Sequence, residues 1–120
     1  MGRASAVHYA AALAFVAASV APASAAEFAN GNQLLAACSS ENASEGLQCI
    51  AFLDGVLMGA LVISEREKTS PPFCIPPTAT NGQLKDVVTA FLRDRPAVRH
   101  YGGGALTVVA LIDAFPCASK

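Results

Sequence analysis

Tryptophan is absent from this chain and ionisable side chains are scarce: 14% of the 120 residues are Asp, Glu, Lys or Arg, and two are His. The eight basic and nine acidic groups nearly cancel, and the basic ones gather into no stripe. Nucleic-acid binding needs Lys and Arg clustered on one face to neutralise phosphates, and attachment to an anionic membrane surface needs a polybasic patch, so the composition argues against both. Metal ligands are equally sparse. His100 is the one histidine beyond the first ten residues, no Cys-x-x-Cys or His-x-x-x-His spacing occurs, and no metal or cofactor is expected. A Ser/His/Asp pattern, a paired-carboxylate motif and a nucleotide fingerprint are also missing, so the chain is not expected to be an enzyme.

What the chain does have begins with an export signal. Arg3 and the amino terminus give a weakly positive start, Tyr9 to Val20 form an apolar, alanine-rich run, and Ala23-Ser24-Ala25 is the small-x-small pattern of a cleavage site. Cleavage is expected after Ala25, so that residues 1–25 are a signal peptide and residues 26–120 one domain. The apolar run falls short of the about twenty residues that span a bilayer, and no membrane association is expected after cleavage.

Beyond residue 25, apolar residues recur at helical rather than strand spacing, and proline and glycine divide the chain into about four helical pieces. A first helix is expected over Gly31 to Ser39, with Leu34, Leu35 and Cys38 on one face. After the polar run Ser39–Ser44, a second extends from Glu45 to Arg66, with Ile50, Leu53, Leu57 and Leu61 as its stripe; Gly55 is read there as allowing close helix approach and Asp54 as facing a polar edge. Four prolines between Thr69 and Thr80 cannot continue a helix and leave a crossover loop holding Cys74. Thr80 and Gln83 then make a capping box ahead of Leu84, Val87, Val88, Phe91 and Leu92. Asp94-Arg95-Pro96 breaks this third helix, and Pro96 suits the first turn of the next.

The fourth helix, ending near Phe115, carries Leu106, Val108, Val109, Leu111, Ile112 and Phe115 around nearly its whole circumference, which predicts burial at the bundle centre or across a dimer interface. Gly102-Gly103-Gly104 complicates its start, since a glycine in a helix interior costs about 0.5 to 1 kcal/mol relative to alanine. No strand precedes the three glycines and no Gly-Lys-Ser/Thr follows, so a phosphate loop is not indicated. Close packing of one helix backbone against another, or a helix that starts late, is the expectation.

Cys38, Cys49, Cys74 and Cys117 all lie past the signal and would mature in an oxidising compartment, where disulfides form. Four cysteines allow three pairings. Cys38 closes the first helix and Cys49 opens the second, so Cys38–Cys49 would clamp a helical hairpin. Cys74–Cys117 would tie the end of the chain to its middle. A catalytic Cys74 with His100 would need a free thiol and a third, orienting group. The fold class expected is all-α: a small four-helix bundle of orthogonal or irregular packing, stapled by two disulfides.

The order Leu34-x-x-x-Cys38, Cys49-Ile-Ala-Phe-Leu-Asp-Gly-Val56, Phe73-Cys74-Ile-Pro76, Leu84-Lys-Asp-Val-Val88, Phe91-Leu92, Arg95-Pro96 and Ala114-Phe115-Pro116-Cys117 resembles the Rap/Tai-type immunity proteins of type VI secretion amidase effectors. Phe52 stands where an aromatic such as Tyr is commoner, and the triple glycine where ordinary helix formers are usual. The resemblance implies a small periplasmic, helical, disulfide-bearing and often dimeric protein. Such a protein binds a secreted peptidoglycan amidase, blocks its Cys/His cleft and protects the producing cell and its kin.

Occlusion asks for a rigid surface that presents a few polar groups, and charges beside helix ends are the candidates. They are Glu65 and Glu67 at the close of the second helix, Arg93, Asp94 and Arg95 before the fourth, and Arg99, His100 and Tyr101 after that turn. Tyr101 and the arginines suit the role best, because aromatic and Arg side chains dominate binding hot spots. The alternative is a small periplasmic helical chaperone of the acid-stress kind, or a binding protein of unknown partner. Few ionisable groups cluster in this chain to drive such an acid-stress switch.

Overall fold

Residues 28–118, the part of the chain that the computed structural model describes, form four α-helices. They are α1 (Gly31–Cys38), α2 (Ala43–Glu67), α3 (Asn81–Asp94) and α4 (Gly103–Ala114), with a single 3-10 turn over Pro96–Val98 between the last two. The expected signal peptide and its cleavage site lie outside the described residues.

Three of the helices begin at a side chain that satisfies their free backbone donors. Asn30 accepts from the Gln33 N–H at 3.1 Å, and Asn42 accepts from the Ser44 and Glu45 N–H groups at 2.9 and 3.3 Å. Asn42 therefore starts α2 two residues earlier than its apolar stripe suggests. On α3 the capping box is complete: Gln83 N–H donates to Thr80 Oγ1 at 3.2 Å and Thr80 N–H to Gln83 Oε1 at 2.8 Å. The fourth helix starts at Gly102 without a side-chain cap. At its far end α2 closes on Lys68, whose φ of 56° is left-handed, with Thr69 N–H reaching back to Ser64 O at 3.0 Å. This closure is the Schellman arrangement, usually made by glycine.

The two disulfides are Cys38–Cys49 and Cys74–Cys117. The first joins α1 to α2 inside the core, where Cys38 and Cys49 are 4% and 0% exposed. The second joins the proline-rich loop to the segment after α4, at the surface. Leu34 of α1, Val88 and Leu92 of α3 and Leu111 of α4 are the large side chains sealed between the helices. α2 is long and apolar enough to cross a membrane by length and composition alone, and in the fold it packs against α1, α3 and α4. Phe28, ahead of α1, stacks edge-on against Phe52 of α2 with ring centres 4.9 Å apart.

Several expectations change. Along the predicted α2 stripe only Leu53 is fully buried, while Ile50, Leu57 and Leu61 sit half-exposed at its margin. Among the described residues Gly55 meets nothing within 4 Å of where a Cβ would stand, so it serves no close contact between them. Pro96 opens the 3-10 turn rather than the fourth helix, because the chain must still reverse before α4 can lie beside α3. α4 itself is not sealed on all sides: Leu106, Thr107, Ala110 and Leu111 face inward, while Val109 and Ile112 face out.

Of the two expectations for the triple glycine, the late start holds, while the close approach is to a non-helical segment rather than to another helix. The helix starts late, at Gly103. There a Cβ would lie 2.6 Å from the backbone oxygen of Phe28. This contact lets the segment before α1 cross the start of α4, where Gly31 N–H donates to Tyr101 O at 3.0 Å and Asn32 N–H to Arg99 O at 3.1 Å.

Candidate functional site

Six of the eight predicted contact residues fall at one corner, where α3 ends and the 3-10 turn leads into α4. Glu65 and Glu67 lie apart from them, exposed on the last turn of α2. Within the corner the six do different things. The Arg99 guanidinium turns inward and caps α3, with Nε donating to Leu92 O at 2.5 Å and Nη2 to Arg93 O at 2.7 Å. A cation at a helix C-terminus also meets the negative end of the helix dipole. Arg95 lies over the Phe91 ring, 4.1 Å from its centre, and pairs with Asp113 of α4 at 3.2 Å. Arg93, Asp94, His100 and Tyr101 are exposed, and the His100 and Tyr101 rings stack with centres 4.0 Å apart. Both disulfides take up all four thiols, so Cys74 offers His100 no thiolate.

Beside this corner, two hollows run along the α3–α4 seam and share Val87. The larger, about 420 Å³, lies between the proline-rich loop (Pro76, Thr78, Ala79), the start of α3 (Gln83, Asp86, Val87) and Phe115. The smaller, about 290 Å³, is bounded by Ala90, Phe91, Asp94, Arg95, Ala110, Asp113 and Ala114. Their walls are mostly apolar, with Asp86, Asp94 and Asp113 as carboxylates against the single guanidinium of Arg95. The seam thus offers apolar hollows rimmed by net negative charge. Sequence reasoning found Asp94 and Arg95 but missed the larger hollow. The Phe-Cys-x-Pro and Phe-Pro-Cys segments were its only signal, since their cysteines bring both walls together.

A second surface lies on the outside of α2. Leu47, Met58, Val62 and Ile63 expose between 53% and 68% of their area. Leu47, Ala51, Gly55, Met58 and Val62 all lie on one side of the helix at 100° per residue, opposite the buried Cys49 and Leu53. Asp54 sits at the edge of this stripe. Both sides of α2 are apolar, and among the described residues only one is covered.

A family model described as Rap1a immunity proteins matches residues 30–117, which takes in all four helices and both bridges. No curated protein matches the chain. No solved structure matches it either.

Proposed function

We propose, from the premise that this chain belongs to the Rap1a immunity protein family, that it acts in the periplasm by binding a secreted peptidoglycan amidase delivered by a type VI secretion system and occluding that enzyme's cleft. The family match across the whole bundle carries this reading. Two disulfides suit an oxidising compartment, and the signal-like residues 1–25 suit export. Inhibition by occlusion needs no chemistry from the inhibitor, only a surface that keeps its shape.

The α3–α4 seam and the adjoining corner are the face we assign to the effector. It is rigid, being built on helix ends fixed by the Thr80–Gln83 box and the Arg99 cap. Apolar hollows ringed by Asp86, Asp94 and Asp113 fit a protruding loop that carries an apolar side chain and a basic one. His100 and Tyr101 extend the same face, and a stacked aromatic pair supplies contact area at low entropic cost. Glu65 and Glu67, at the end of α2, belong to this face only if the effector reaches beyond the corner.

A second copy covers the outer stripe of α2 in this reading. Turned end for end, the stripe sets Leu47 opposite Val62 and Ala51 opposite Met58, the self-complementarity that a two-fold interface requires. Ala51 and Gly55 at the middle allow two helices to approach closely. At about 1.5 Å per residue the helix is some 37 Å long, enough for a contact of several hundred Å² per copy, in the range of specific dimers.

The test pairs the purified chain with the peptidoglycan amidase encoded beside its gene. Stoichiometric loss of cell-wall peptide cleavage is expected, together with self-intoxication of cells that lack the chain. Full amidase activity in the presence of excess chain would overturn the proposal. The exposed α2 stripe favours one second reading, a chaperone offering that stripe to unfolded clients. Suppression of the aggregation of unrelated proteins, without effect on the amidase, would select it.

A further inference from the structure

The two disulfides differ in how a reductant meets them. Cys38 and Cys49 are enclosed, at 4% and 0% exposure, among Leu34, Leu53 and the rest of the central core. Cys74 and Cys117 are both exposed, and Cys117 Sγ lies 3.7 Å from Pro71 O. Thiol–disulfide exchange requires a thiolate to reach one sulfur of the bond, so its rate follows access as well as thiol pKa. An enclosed bridge can be attacked only after the surrounding helices part. An exposed one can be attacked in the folded protein.

What each bridge fastens also differs. Cys38–Cys49 joins two helices that already pack on each other. Cys74–Cys117 closes a span of 43 residues between a loop and the end of the chain. Among the described residues, the backbone hydrogen bond that joins these two segments runs from Cys74 N–H to Phe115 O at 2.8 Å. The larger hollow depends on that junction, for Pro76, Thr78 and Ala79 on one wall follow Cys74, and Phe115 on the other precedes Cys117.

We infer that Cys74–Cys117 is a redox-addressable site, opened selectively by a dithiol reductant of the Cys-x-x-Cys class while Cys38–Cys49 and the helical core stay intact, and that its reduction loosens the hollow beside it. In the exchange, one thiolate of the dithiol attacks a sulfur of the pair, forming a mixed disulfide as the Cys74–Cys117 bond breaks and the other cysteine leaves as a thiolate. The second thiol of the reductant then displaces the protein sulfur. The dithiol ends as a disulfide, Cys74 and Cys117 end as thiols after taking up two protons, and two electrons pass to the protein. The selectivity stands on the fold alone. Its consequence for inhibition rests on the function proposed above.

The oxidised full chain is treated with graded dithiothreitol under native conditions, new thiols are trapped with an alkylating reagent, and peptides are mapped by mass spectrometry. Labelling of Cys74 and Cys117 is expected at a rate at least about tenfold above that of Cys38 and Cys49, with helical circular dichroism retained at the stage where only the first pair is labelled. Equal rates, or earlier labelling of Cys38 and Cys49, would overturn the inference, as would loss of helicity in step with the first pair. A Cys74→Ser/Cys117→Ser chain, or the selectively alkylated wild type if that variant fails to fold, should bind the amidase about tenfold more weakly. Correct labelling order with undiminished amidase binding removes the link to the hollow. Correct order with no amidase binding by the oxidised chain instead counts against the proposed function.

Discussion

Replacing Gly103 and Gly104 by alanine, one at a time, should move stability in opposite directions, although the two are neighbours in the same helical turn. At Gly104 an added Cβ would meet Val56 Cγ2 at 3.9 Å and Phe52 Cζ at 4.0 Å, ordinary van der Waals contact. Only the backbone entropy of glycine is then at stake, and Gly104→Ala should stabilise by up to about 1 kcal/mol. At Gly103 the Cβ would stand 2.6 Å from Phe28 O and 3.4 Å from Phe28 Cβ. The Phe28 backbone cannot simply withdraw, since its ring is wedged against Phe52 and the chain just after it is tied to residues 99–101 by two backbone hydrogen bonds. Overpacking of this kind costs about 1 to 3 kcal/mol, which outweighs the smaller gain in helix propensity near a helix start. In a domain of this size each kcal/mol shifts Tm by roughly 4 to 8 °C, so the two variants should differ by about 10 °C or more. Thermal and urea unfolding at one fixed protein concentration measure it. A Gly103→Ala chain as stable as the parent, or two variants shifted the same way, would refute the close approach between the start of α4 and the segment before α1.

Arg99→Ala removes both side-chain donors to the last carbonyls of α3 and should cost about 1 to 2 kcal/mol in urea unfolding, whereas loss of the exposed Arg95–Asp113 pair by Asp113→Ala should cost at most about 1 kcal/mol. Thr89 buries a hydroxyl with no partner, so Thr89→Val, which keeps the shape, should raise the unfolding free energy by about 1 kcal/mol; an equal gain from Thr107→Val, whose hydroxyl donates to Gly103 O at 2.8 Å, would show that satisfaction is not the cause. Lys68→Gly relieves a left-handed residue at the end of α2 and should gain about 1 kcal/mol by thermal melts. If the proposed two-fold contact forms, the parent chain sediments as a dimer and Met58→Glu, in the middle of the outer α2 stripe, should make it a monomer without loss of helicity; a monomeric parent, or an unchanged mass in the variant, would overturn that contact.

Local pattern made much of the bundle legible in advance. The Thr80–Gln83 box and the heptad-like run from Leu84 to Leu92 specify α3 through contacts within a few residues, and the prolines at 71, 72, 76 and 77 bar helix from the loop that follows α2, although α2 itself closes earlier, on Lys68. The cysteine pairing was favoured rather than fixed, because four thiols allow three pairings and the chief pointer was that Cys38 and Cys49 sit at facing ends of consecutive helices. The functional face was less so. Arg99 reads as an exposed charge in a turn, and nothing in its neighbours says that its guanidinium will reach back to the carbonyls of residues 92 and 93. The apolar pattern of α2 and α4 was visible, but not which side of each helix would be covered, since a helix apolar all round carries no periodic signal to orient it.

The amino-acid order by itself therefore determined the number of helices and their approximate places, and favoured two bridges among the three pairings that four cysteines allow, since these rest on hydrogen bonding and ring geometry between near neighbours and on a handful of thiols. Only the tertiary structure decided that Gly103 rather than Gly55 would closely approach another segment, that α2 would leave an apolar stripe uncovered among the described residues while α4 exposes only Val109 and Ile112, and that the proline loop and Phe115 would enclose a hollow. Each of those outcomes depends on how helices distant in sequence share a limited volume, and packing of that kind is set by all the side chains together.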